Sequence, residues 1–425
     1  ITFKDEINIF DYIDNLSFSQ ITEEATMTAC KELIKLRVRR EISQTADKLK
    51  DYVNKNSEYS MDEIIGKIDQ IYNKKISAYS ENDVPINIFA EVEDLVEEIG
   101  NSPKEDTGLI TPYSEFNRMY GGLKNGNIYA IASRPGQGKS TWLNDICFKT
   151  SINPKNKTKT LILDTEMQTV DIQLRMVASL TDVPVWYLET GNWRKNEEMT
   201  RKVRAAWAKV KTYEYFHYHV GNKNIDQVCS IIRRWYLSKV GRGNQAMIAY
   251  DYIKLTGEKV GANWAEHQAI GDKIDKLKRI SEEIHCPIIT AMQLNRSGES
   301  FNRKASEVVD DSSVISLSDR LQWFASFVAI FRRKTLDEVT LDGQAFGTHK
   351  LIPTKTRFQG KDAAGHQDLV RRLDCTGKET WAQNYLNYQV TNFNIEERGS
   401  LLDVAERQRE QYELNDQNAN DGELL

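Results

Sequence analysis

The sequence is poor in cysteine and proline and has no long apolar run, and each shortage excludes a class of protein. Its five cysteines lie far apart, and no pair has the CxxC spacing of zinc or redox sites. Only 8 of the 425 residues are proline and 23 are glycine, which excludes a collagen-like chain. No stretch approaches the roughly 18 consecutive apolar residues of a membrane span, and the first ten residues lack a signal-peptide pattern. We therefore expect a cytosolic (cytoplasmic) protein.

The composition is that of a folded protein, but its charge is unevenly distributed. Apolar residues make up 40% of the chain and charged residues 28%, which is typical of globular domains. The formal net charge is −5, and residues 396–425 carry nine acidic residues against three arginines. The rest of the chain is nearly neutral, so it has no general basic field that would attract a polyanion. Any contact with nucleic acid must depend on local basic loops.

The period of the apolar residues divides the chain into four parts. Residues 1–95 have a helical period and a capping box at Ser60 and Glu63, which predicts a small all-α domain. Its apolar face would form the core of a small bundle or dock a partner helix. An acidic stretch with a break at residues 100–103 predicts a linker over 96–110. Residues 396–425 are polar and are predicted to be helical and then disordered.

Residues 111–395 alternate short runs of Ile, Val and Leu with amphipathic stretches, which is typical of parallel strands joined by crossover helices. This pattern predicts an α/β domain with a mainly parallel, twisted sheet. The predicted strands are 127–132, 160–164, 246–250, 287–292, 326–331 and 350–354.

A glycine-rich loop follows the first predicted strand and opens an amphipathic helix, as a phosphate loop requires. Its glycines let backbone N–H groups turn toward a phosphate, and the helix N-terminus adds a favourable dipole. Lys139 is predicted to reach the β- and γ-phosphates, and the Ser140 hydroxyl to ligate Mg²⁺. We therefore predict that ATP or another nucleoside triphosphate binds the following residues: Arg134, Pro135, Gly136, Gln137, Gly138, Lys139, Ser140 and Thr141.

Acidic and amide side chains lie at the ends of three other predicted strands. Asp251 follows the strand at 246–250 and is the candidate that holds the magnesium. Asp164 ends the strand at 160–164 and Glu166 follows it, and one of them would orient or deprotonate the attacking water. Glu166 is the predicted base, but alternation along a strand gives both acids the same facing, so spacing does not choose between them. Gln293 follows the strand at 287–292, and its neutral amide could sense a γ-phosphate.

Three basic segments are candidates for phosphate contacts. Segment 296–304 is polar, contains glycine and carries one aromatic residue, and segment 254–263 follows the strand-end acid at 251. Lys355 and Arg357 leave the last predicted strand on the same side. Arg357 would be an arginine finger if a neighbouring subunit completes the site. The cations predicted to contact nucleic acid are Lys254, Lys259, Arg296, Arg303 and Lys304.

Taken together, these segments resemble the DnaB-type replicative helicases over residues 105–395, with the divergence expected of a phage-encoded member. The resemblance implies a RecA-like P-loop ATPase core. Residues 164–167 are similar to the family's Ser-Leu-Glu-Met segment, which selects Glu166 as the catalytic base. By the same resemblance Asp251 is the Walker B acid, Gln293 the sensor, and Lys355 and Arg357 the lysine and arginine finger that act in trans.

The resemblance also implies a homohexameric ring that moves 5′ to 3′ on single-stranded DNA, powered by ATP and Mg²⁺. Residues 1–95 occupy the place of the family's N-terminal collar, where a primase and a helicase loader would bind. Two alternatives remain open: a RecA-like recombinase that forms filaments, and a non-catalytic protein that uses nucleotide to lock an assembly.

Overall fold

The computed structural model of the protein describes most of the chain, and its contacts divide the chain into two compact units, residues 1–97 and 98–425. Within the described ranges, no helix has the length and the apolar character that crossing a membrane requires. The structure describes residues 23–55, 64, 68, 87–89, 92–253, 266–294, 323–361, 369–374 and 378–422.

A long helix, α1, spans Glu23–Lys55 in the first unit. Ion pairs one turn apart, such as Lys35 with Glu32 at 3.0 Å, support the helical conformation. Leu33 and Leu36 are exposed. The predicted capping box at residues 60–63 lies outside the described residues.

A second helix, α2, spans Val92–Asn101, where the sequence predicted the start of a linker. Acidic residues in its first turn interact favourably with the helix dipole, and Pro103 lies just beyond its end. The linker segment therefore begins as a helix. Four exposed apolar side chains share one side of α2: Val92, Leu95, Val96 and Ile99.

The second unit contains a nine-stranded sheet and a separate two-stranded hairpin formed by β8 and β9. The strands are β1 Ile128–Ser133, β2 Lys159–Asp164, β3 Tyr215–His219, β4 Ala246–Asp251, β5 Ile288–Gln293, β6 Phe327–Arg333, β7 His349–Thr356, β8 Leu369–Leu373, β9 Glu379–Gln383, β10 Leu386–Thr391 and β11 Asn394–Ser400.

Helices connect these strands and cover the sheet. They are α3 Ser114–Tyr120, α4 Lys139–Ile152, α5 Thr169–Thr181, α6 Val185–Glu189, α7 Glu197–Val210, α8 Ile225–Trp235, α9 Glu266–Glu283, α10 Leu336–Asp342 and α11 Leu401–Gly422.

The strand order in the large sheet is β11-β10-β7-β6-β1-β5-β4-β2-β3. The six strands from β6 to β3 in this order pair in parallel, which confirms the predicted α/β fold with a mainly parallel sheet. The last predicted strand, 350–354, lies within β7, which pairs antiparallel with β6. The sheet continues antiparallel through β10 and β11. The parallel block therefore ends at β6.

The strands of the parallel block have apolar residues on both faces because helices cover both faces. Along β1, Ala130 and Ala132 pack into one apolar cluster, while Tyr129 and Ile131 pack into the other. Residues of α8 and α9 complete the first cluster, and residues of α3 and α4 complete the second. The phosphate-loop helix α4 is thus anchored directly on the sheet.

The C-terminal part of the chain differs from the prediction of a polar tail from residue 396. Residues 394–400 form β11, which pairs with β10, and the chain continues as α11. Leu401 and Val404 are fully buried at the start of that helix. The strand was missed because Ile395 is its only large apolar residue.

A buried ionic network surrounds the end of β6 and the helix α10. Lys334 contacts Asp342 at 2.8 Å, and Arg372 contacts the same carboxylate at 3.1 Å. The Tyr385 hydroxyl also donates to Asp342 at 2.8 Å. Burial lowers the pKa of Lys334, and the Asp342 carboxylate opposes that shift. The network therefore fixes α10 against the strand that lies beside the phosphate loop.

Candidate active site

The phosphate loop connects β1 to α4 and has the conformation that its glycines allow. Gly136 has a φ of +75° and Gly138 a φ of +86°, in the left-handed region that favours glycine. Gly138 is the residue before α4, and it supplies no side-chain cap to the helix N-terminus. The first N–H groups of α4 therefore point into the loop, where they can bind an anion.

Neighbouring strands hold this loop in place. The backbone N–H of Arg333 donates to the Gln137 side chain at 2.9 Å, which joins the loop to the end of β6. The N–H of Gln137 donates to the carbonyl of Arg134 at 3.3 Å, and Arg134 is buried. Pro135 and Gly136 are exposed at the tip, and residues 137–141 are half-buried. The predicted nucleotide-binding residues thus form one continuous cradle.

Lys139 and Asp251 lie together beside the loop. The Nζ of Lys139 is 3.6 Å from Oδ1 of Asp251, which is buried at the end of β4. The Ser140 hydroxyl hydrogen-bonds the same carboxylate. Burial raises the pKa of Asp251, and Lys139 partly offsets this; burial also lowers the pKa of Lys139. The predicted magnesium ligands, Ser140 and Asp251, are therefore adjacent.

This pair of oxygen ligands fits a magnesium ion. Oδ1 of Asp251 is buried and has no hydrogen-bond partner within the part of the chain that the structure describes. Among those residues there is also no cluster of three or more His, Cys, Asp or Glu side chains that could cage a metal. Mg²⁺ is usually held by one or two protein ligands together with phosphate oxygens and water, so a single carboxylate and a hydroxyl are sufficient.

Asp164 and Glu166 occupy different environments. Asp164 is buried, and its carboxylate accepts the backbone N–H groups of Glu166 at 2.6 Å and Met167 at 2.5 Å. Glu166 is exposed beyond the turn that Asp164 stabilises. Asp164 also pairs with Asp251 across β2 and β4, so all three acids lie at one edge of the sheet. Asp164 therefore makes a structural contact with the turn, whereas the Glu166 side chain is not used in that turn and hydrogen-bonds Tyr252 beside Lys139.

Gln293 lies at the same edge, next to the phosphate loop. It ends β5 directly opposite Ser133, the last residue of β1. The N–H of Leu294 donates to the Ser133 carbonyl at 3.1 Å, which continues the pairing into the loop. The Gln293 side chain is exposed. The predicted sensor is thus brought beside the phosphate loop.

Lys355 and Arg357 lie at the opposite edge of the sheet. Thr356 pairs with Phe327 at the start of β6, and Phe327 pairs with Tyr129 near the start of β1. The phosphate loop begins only after Ser133, about 13 Å further along β1 at 3.3 Å per residue. The two cations are therefore remote from the phosphate loop of their own chain.

Backbone contacts fix both cations at that edge. The Nζ of Lys355 donates to the Ala325 carbonyl at 2.9 Å, and Nη2 of Arg357 donates to the Trp323 carbonyl at 3.0 Å. Burial and the charge of Arg357 lower the pKa of Lys355. Nearby, a Cβ on Gly360 would come closer than 3.0 Å to the backbone of Arg118, so only glycine allows this close approach.

Two site residues carried no prediction. The ring of Tyr252 lies 3.4 Å from the Nζ of Lys139, and its hydroxyl hydrogen-bonds Glu166. Burial and the Glu166 carboxylate raise the pKa of Tyr252 to about 12, so the phenol remains protonated. His219, at the end of β3, contacts the Met167 carbonyl through Nδ1 at 3.2 Å. The position of Tyr252 directly after the Walker B candidate was a usable signal, whereas β3 was not predicted at all.

The predicted nucleic-acid contacts lie outside the described residues: Lys254, Lys259, Arg296, Arg303 and Lys304. The last described residues before these two segments are Ile253 and Leu294, which follow the neighbouring strands β4 and β5. The described chain before each segment therefore ends at the edge of the sheet that carries the phosphate loop.

The fold and the site define the class of P-loop nucleotide-hydrolysing enzymes. The phosphate loop follows β1 of a parallel sheet, the buried Asp251 ends β4 two strands away, and the exposed Glu166 follows β2, the next strand in the sheet. Residues 108–357 match the family described as DnaB-like helicase C terminal domain. This match covers more than half of the chain, and the chain belongs to that family. Membership confirms the resemblance inferred from the sequence and implies that the protein uses a nucleotide.

Curated relatives of the chain are replicative DNA helicases named DnaB. The protein of Buchnera aphidicola subsp. Baizongia pistaciae (strain Bp) is 28% identical over 310 residues, which cover 69% of this chain and 63% of that protein. The protein of Pasteurella multocida (strain Pm70) is 23% identical over 316 residues, with coverage of 69% and 63%. The chain thus spans less than two thirds of the length of these relatives.

Two solved structures share the fold. One, described as an ATPase domain, aligns with a TM-score of 0.57 and 18% identity, covering 73% of this chain and 99% of that chain. The other, a DnaB-like replicative helicase solved to describe its interactions with primase, aligns with a TM-score of 0.63 and 16% identity, covering 91% of this chain and 82% of that chain. At these identities the likeness shows the fold alone, and it confirms the predicted RecA-like core.

Proposed function

We propose that this chain is a replicative DNA helicase that couples ATP hydrolysis at subunit interfaces to 5′ to 3′ movement on single-stranded DNA. Its working form would be a homohexameric ring in the cytoplasm. Membership in the DnaB-like family and the names of the curated relatives support the activity. The homohexameric ring is a further inference, which rests on the positions of the phosphate loop and Arg357 in the fold.

The observation that carries this proposal is the separation of Arg357 from the phosphate loop of its own chain. The loop lies at the carboxyl-terminal edge of the parallel strands, and Arg357 lies at the other edge, bonded to the Trp323 carbonyl. An arginine finger must touch the transferred phosphate to stabilise its charge. A second copy that presents its Arg357 edge to the phosphate-loop edge of the first would complete the site. Lys355, beside Arg357, would contribute in the same way.

The chain's own residues divide the remaining work. Residues 134–141 would hold the triphosphate through backbone N–H groups, with Lys139 on the β- and γ-phosphates. Ser140 and Asp251 would hold Mg²⁺, which supplies charge neutralisation at the phosphate oxygens when bound. Glu166 would accept a proton from the attacking water. Gln293, at the end of β5, would sense the γ-phosphate as a neutral amide.

DNA contacts are proposed for the two basic segments that follow β4 and β5. Lys254 and Lys259 belong to the first segment, and Arg296, Arg303 and Lys304 to the second. The strands that precede these segments end at Asp251 and Gln293, so a change at the nucleotide would be passed along the chain to both segments. Contacts between these cations and the phosphate backbone would bind single-stranded DNA without sequence preference.

The N-terminal part, residues 1–95, is proposed to form a collar-like helical domain, followed by a linker that begins within α2 and by the ATPase domain, which continues past residue 395 through β11. A primase and a helicase loader would bind this collar. The support for a primase partner is the fold likeness to the DnaB-like helicase described with its primase interactions, which covers 91% of this chain.

The proposal is tested by ATP-dependent unwinding of a forked duplex with the wild type, Glu166→Gln and Arg357→Ala. We expect the wild type to unwind the fork and to hydrolyse ATP faster with single-stranded DNA. Loss of the base should lower kcat about 10²- to 10⁴-fold, and loss of the finger about 10³- to 10⁵-fold. Arg242→Ala is the matched control, because Arg242 is an exposed arginine in the turn before β4. It should retain wild-type activity.

Mixing the two inactive variants tests the shared site. In a mixed ring, the intact Glu166 of one variant would face the intact Arg357 of the other, so part of the ATPase activity should return. No recovery would contradict the shared site. DNA-coated filaments that exchange strands without unwinding would indicate a recombinase, and a fully active Glu166→Gln protein would indicate an assembly role for the nucleotide.

A further inference from the structure

A single tyrosine touches both the lysine and the acid on which the proposed reaction depends. Tyr252 follows the buried Asp251 at the end of β4. The Nζ of Lys139 lies 3.4 Å from the centre of the Tyr252 ring, and the Tyr252 hydroxyl hydrogen-bonds the side chain of Glu166. The two contacts use different parts of the side chain, because the ring face attracts the cation and the hydroxyl donates to the carboxylate.

The backbone on either side of Tyr252 is fixed, so the side chain has a defined position. The Asp251 carbonyl accepts the N–H of Thr165 at 2.9 Å, which joins the end of β4 to the turn that carries Glu166. The N–H of Ile253 donates to the Ala291 carbonyl at 3.0 Å, which joins the next residue to β5. Tyr252 is therefore held between the strand that leads to Glu166 and the strand that leads to Gln293.

We propose that, within the helicase function argued above, Tyr252 is a positioning residue that orients Glu166 through its hydroxyl and holds Lys139 on its ring until a triphosphate takes the lysine. The Lys139 ammonium lies beside Asp251 and over the Tyr252 ring. Lys139 must leave the ring to reach a phosphate, so the ring competes with the nucleotide. The hydroxyl keeps its bond to Glu166 throughout and so sets the direction of the proton acceptor.

The two contacts of Tyr252 should affect different properties: the ring affects nucleotide affinity, and the hydroxyl affects kcat. Removing only the hydroxyl should leave Lys139 and nucleotide affinity unchanged but allow Glu166 to move, which lowers kcat. Removing the ring as well should also release Lys139 and strengthen nucleotide binding. A residue that only supported the fold would weaken both properties together.

The test compares Tyr252→Phe and Tyr252→Leu in the full chain with two measurements. Equilibrium binding of a fluorescent, non-hydrolysable ATP analogue reports affinity, and steady-state hydrolysis with single-stranded DNA reports kcat and KM. Tyr252→Phe should lower kcat about tenfold and leave the dissociation constant within about twofold of the wild type. Tyr252→Leu should show the same loss of kcat and bind the analogue about threefold to tenfold more tightly.

Tyr218→Phe is the matched control, since Tyr218 is an exposed tyrosine of β3, which is separated from β4 by β2. It should match the wild type in both measurements, and thermal melting should show that all variants fold. The proposal is overturned if Tyr252→Phe keeps the wild-type kcat, or if both variants bind the analogue more weakly. A wild type that binds the analogue but does not hydrolyse ATP would instead overturn the proposed helicase function. In that case the affinity of Tyr252→Leu for the analogue would still test the role of the Tyr252 ring.

Discussion

At the scale of single residues, Asp164 and Glu166 differ because the strand ends between them. Alternation predicts the same facing for positions i and i+2 only while the chain stays extended. β2 stops at Asp164, which turns inward and accepts the next backbone N–H groups, while Glu166 is exposed. The sequence therefore predicts which acids gather at this edge. It does not predict which of them accepts hydrogen bonds from backbone N–H groups, because that depends on the conformation of the turn after β2.

Replacing Asp164 should test this structural role. Asp164→Ala leaves the N–H groups of Glu166 and Met167 without their acceptor, which should lower the free energy of unfolding by about 1 to 3 kcal/mol. Urea denaturation measures this change. Glu166→Gln is the comparison, because its side chain is exposed and the substitution should shift stability by less than about 0.5 kcal/mol. Equal stability of the two variants would contradict the assigned contact.

Glu397 should make stability depend on pH. Its carboxylate accepts the N–H groups of Glu115 at 2.7 Å and Phe116 at 3.2 Å and the Ser114 hydroxyl at 3.1 Å, which joins β11 to α3. Burial raises its pKa from the ordinary value of 4.5 to about 7, in spite of these donors. Between these values the folded protein binds a proton that the unfolded chain does not, so stability from this group is greatest below the lower pKa and falls as the pH rises.

Chemical denaturation at about pH 5 and about pH 8 checks this sign. Relative to Glu397→Gln, the wild type should lose about 2 to 3 kcal/mol over the interval, since one pKa unit corresponds to about 1.4 kcal/mol. Glu396→Gln is the control, because Glu396 is the exposed neighbour and should retain the wild-type pH dependence. A wild type whose stability rises more steeply than that of Glu397→Gln would refute the assignment.

At the scale of elements, the continuously buried strands of the parallel block could be predicted, whereas the outermost strand β3 and the hairpin strands β8 and β9 could not. The predicted strands in the parallel block coincide with β1, β2, β4, β5 and β6, because helices on both sides of the sheet require continuous apolar runs. β3, with the sequence YFHYH, is the outermost strand of the sheet on the parallel side and is only half-buried. β8 and β9 alternate between exposed and covered positions, and each is only five residues long and mixes apolar residues with charged or polar ones.

The ionic network around α10 should contribute more to stability than any exposed ion pair. Asp342→Asn would leave Lys334 buried without its counter-charge, and we expect a loss of about 3 to 5 kcal/mol in the free energy of unfolding. Glu379→Gln breaks the exposed pair with Arg371 in the hairpin and should cost less than about 1 kcal/mol. Thermal or urea denaturation of both variants makes the comparison. Similar losses would show that the buried carboxylate is not essential to the network.

At the scale of the whole molecule, the two edges of the parallel sheet carry different chemistry. One edge has the phosphate loop, Asp251 and Gln293; the other has Lys355 and Arg357. Parallel strands produce this arrangement directly, because the carboxyl ends of all of them lie at one edge. β7 runs antiparallel to them, so its carboxyl end lies at the opposite edge. The sequence order alone could not show that these residues are remote from one another. That follows from the direction of β7.

If the site is shared between copies, ATPase activity must depend on assembly. The specific activity, measured with excess ATP and Mg²⁺, should fall on dilution in parallel with the assembled fraction determined by sedimentation, because a separated chain lacks the finger that supplies about 10³- to 10⁵-fold in rate. Arg357→Ala provides the control: its residual activity should not change with concentration, since its interfaces lack the finger at every dilution. A monomer that hydrolyses ATP as fast as the assembly would mean that the site is complete within one chain.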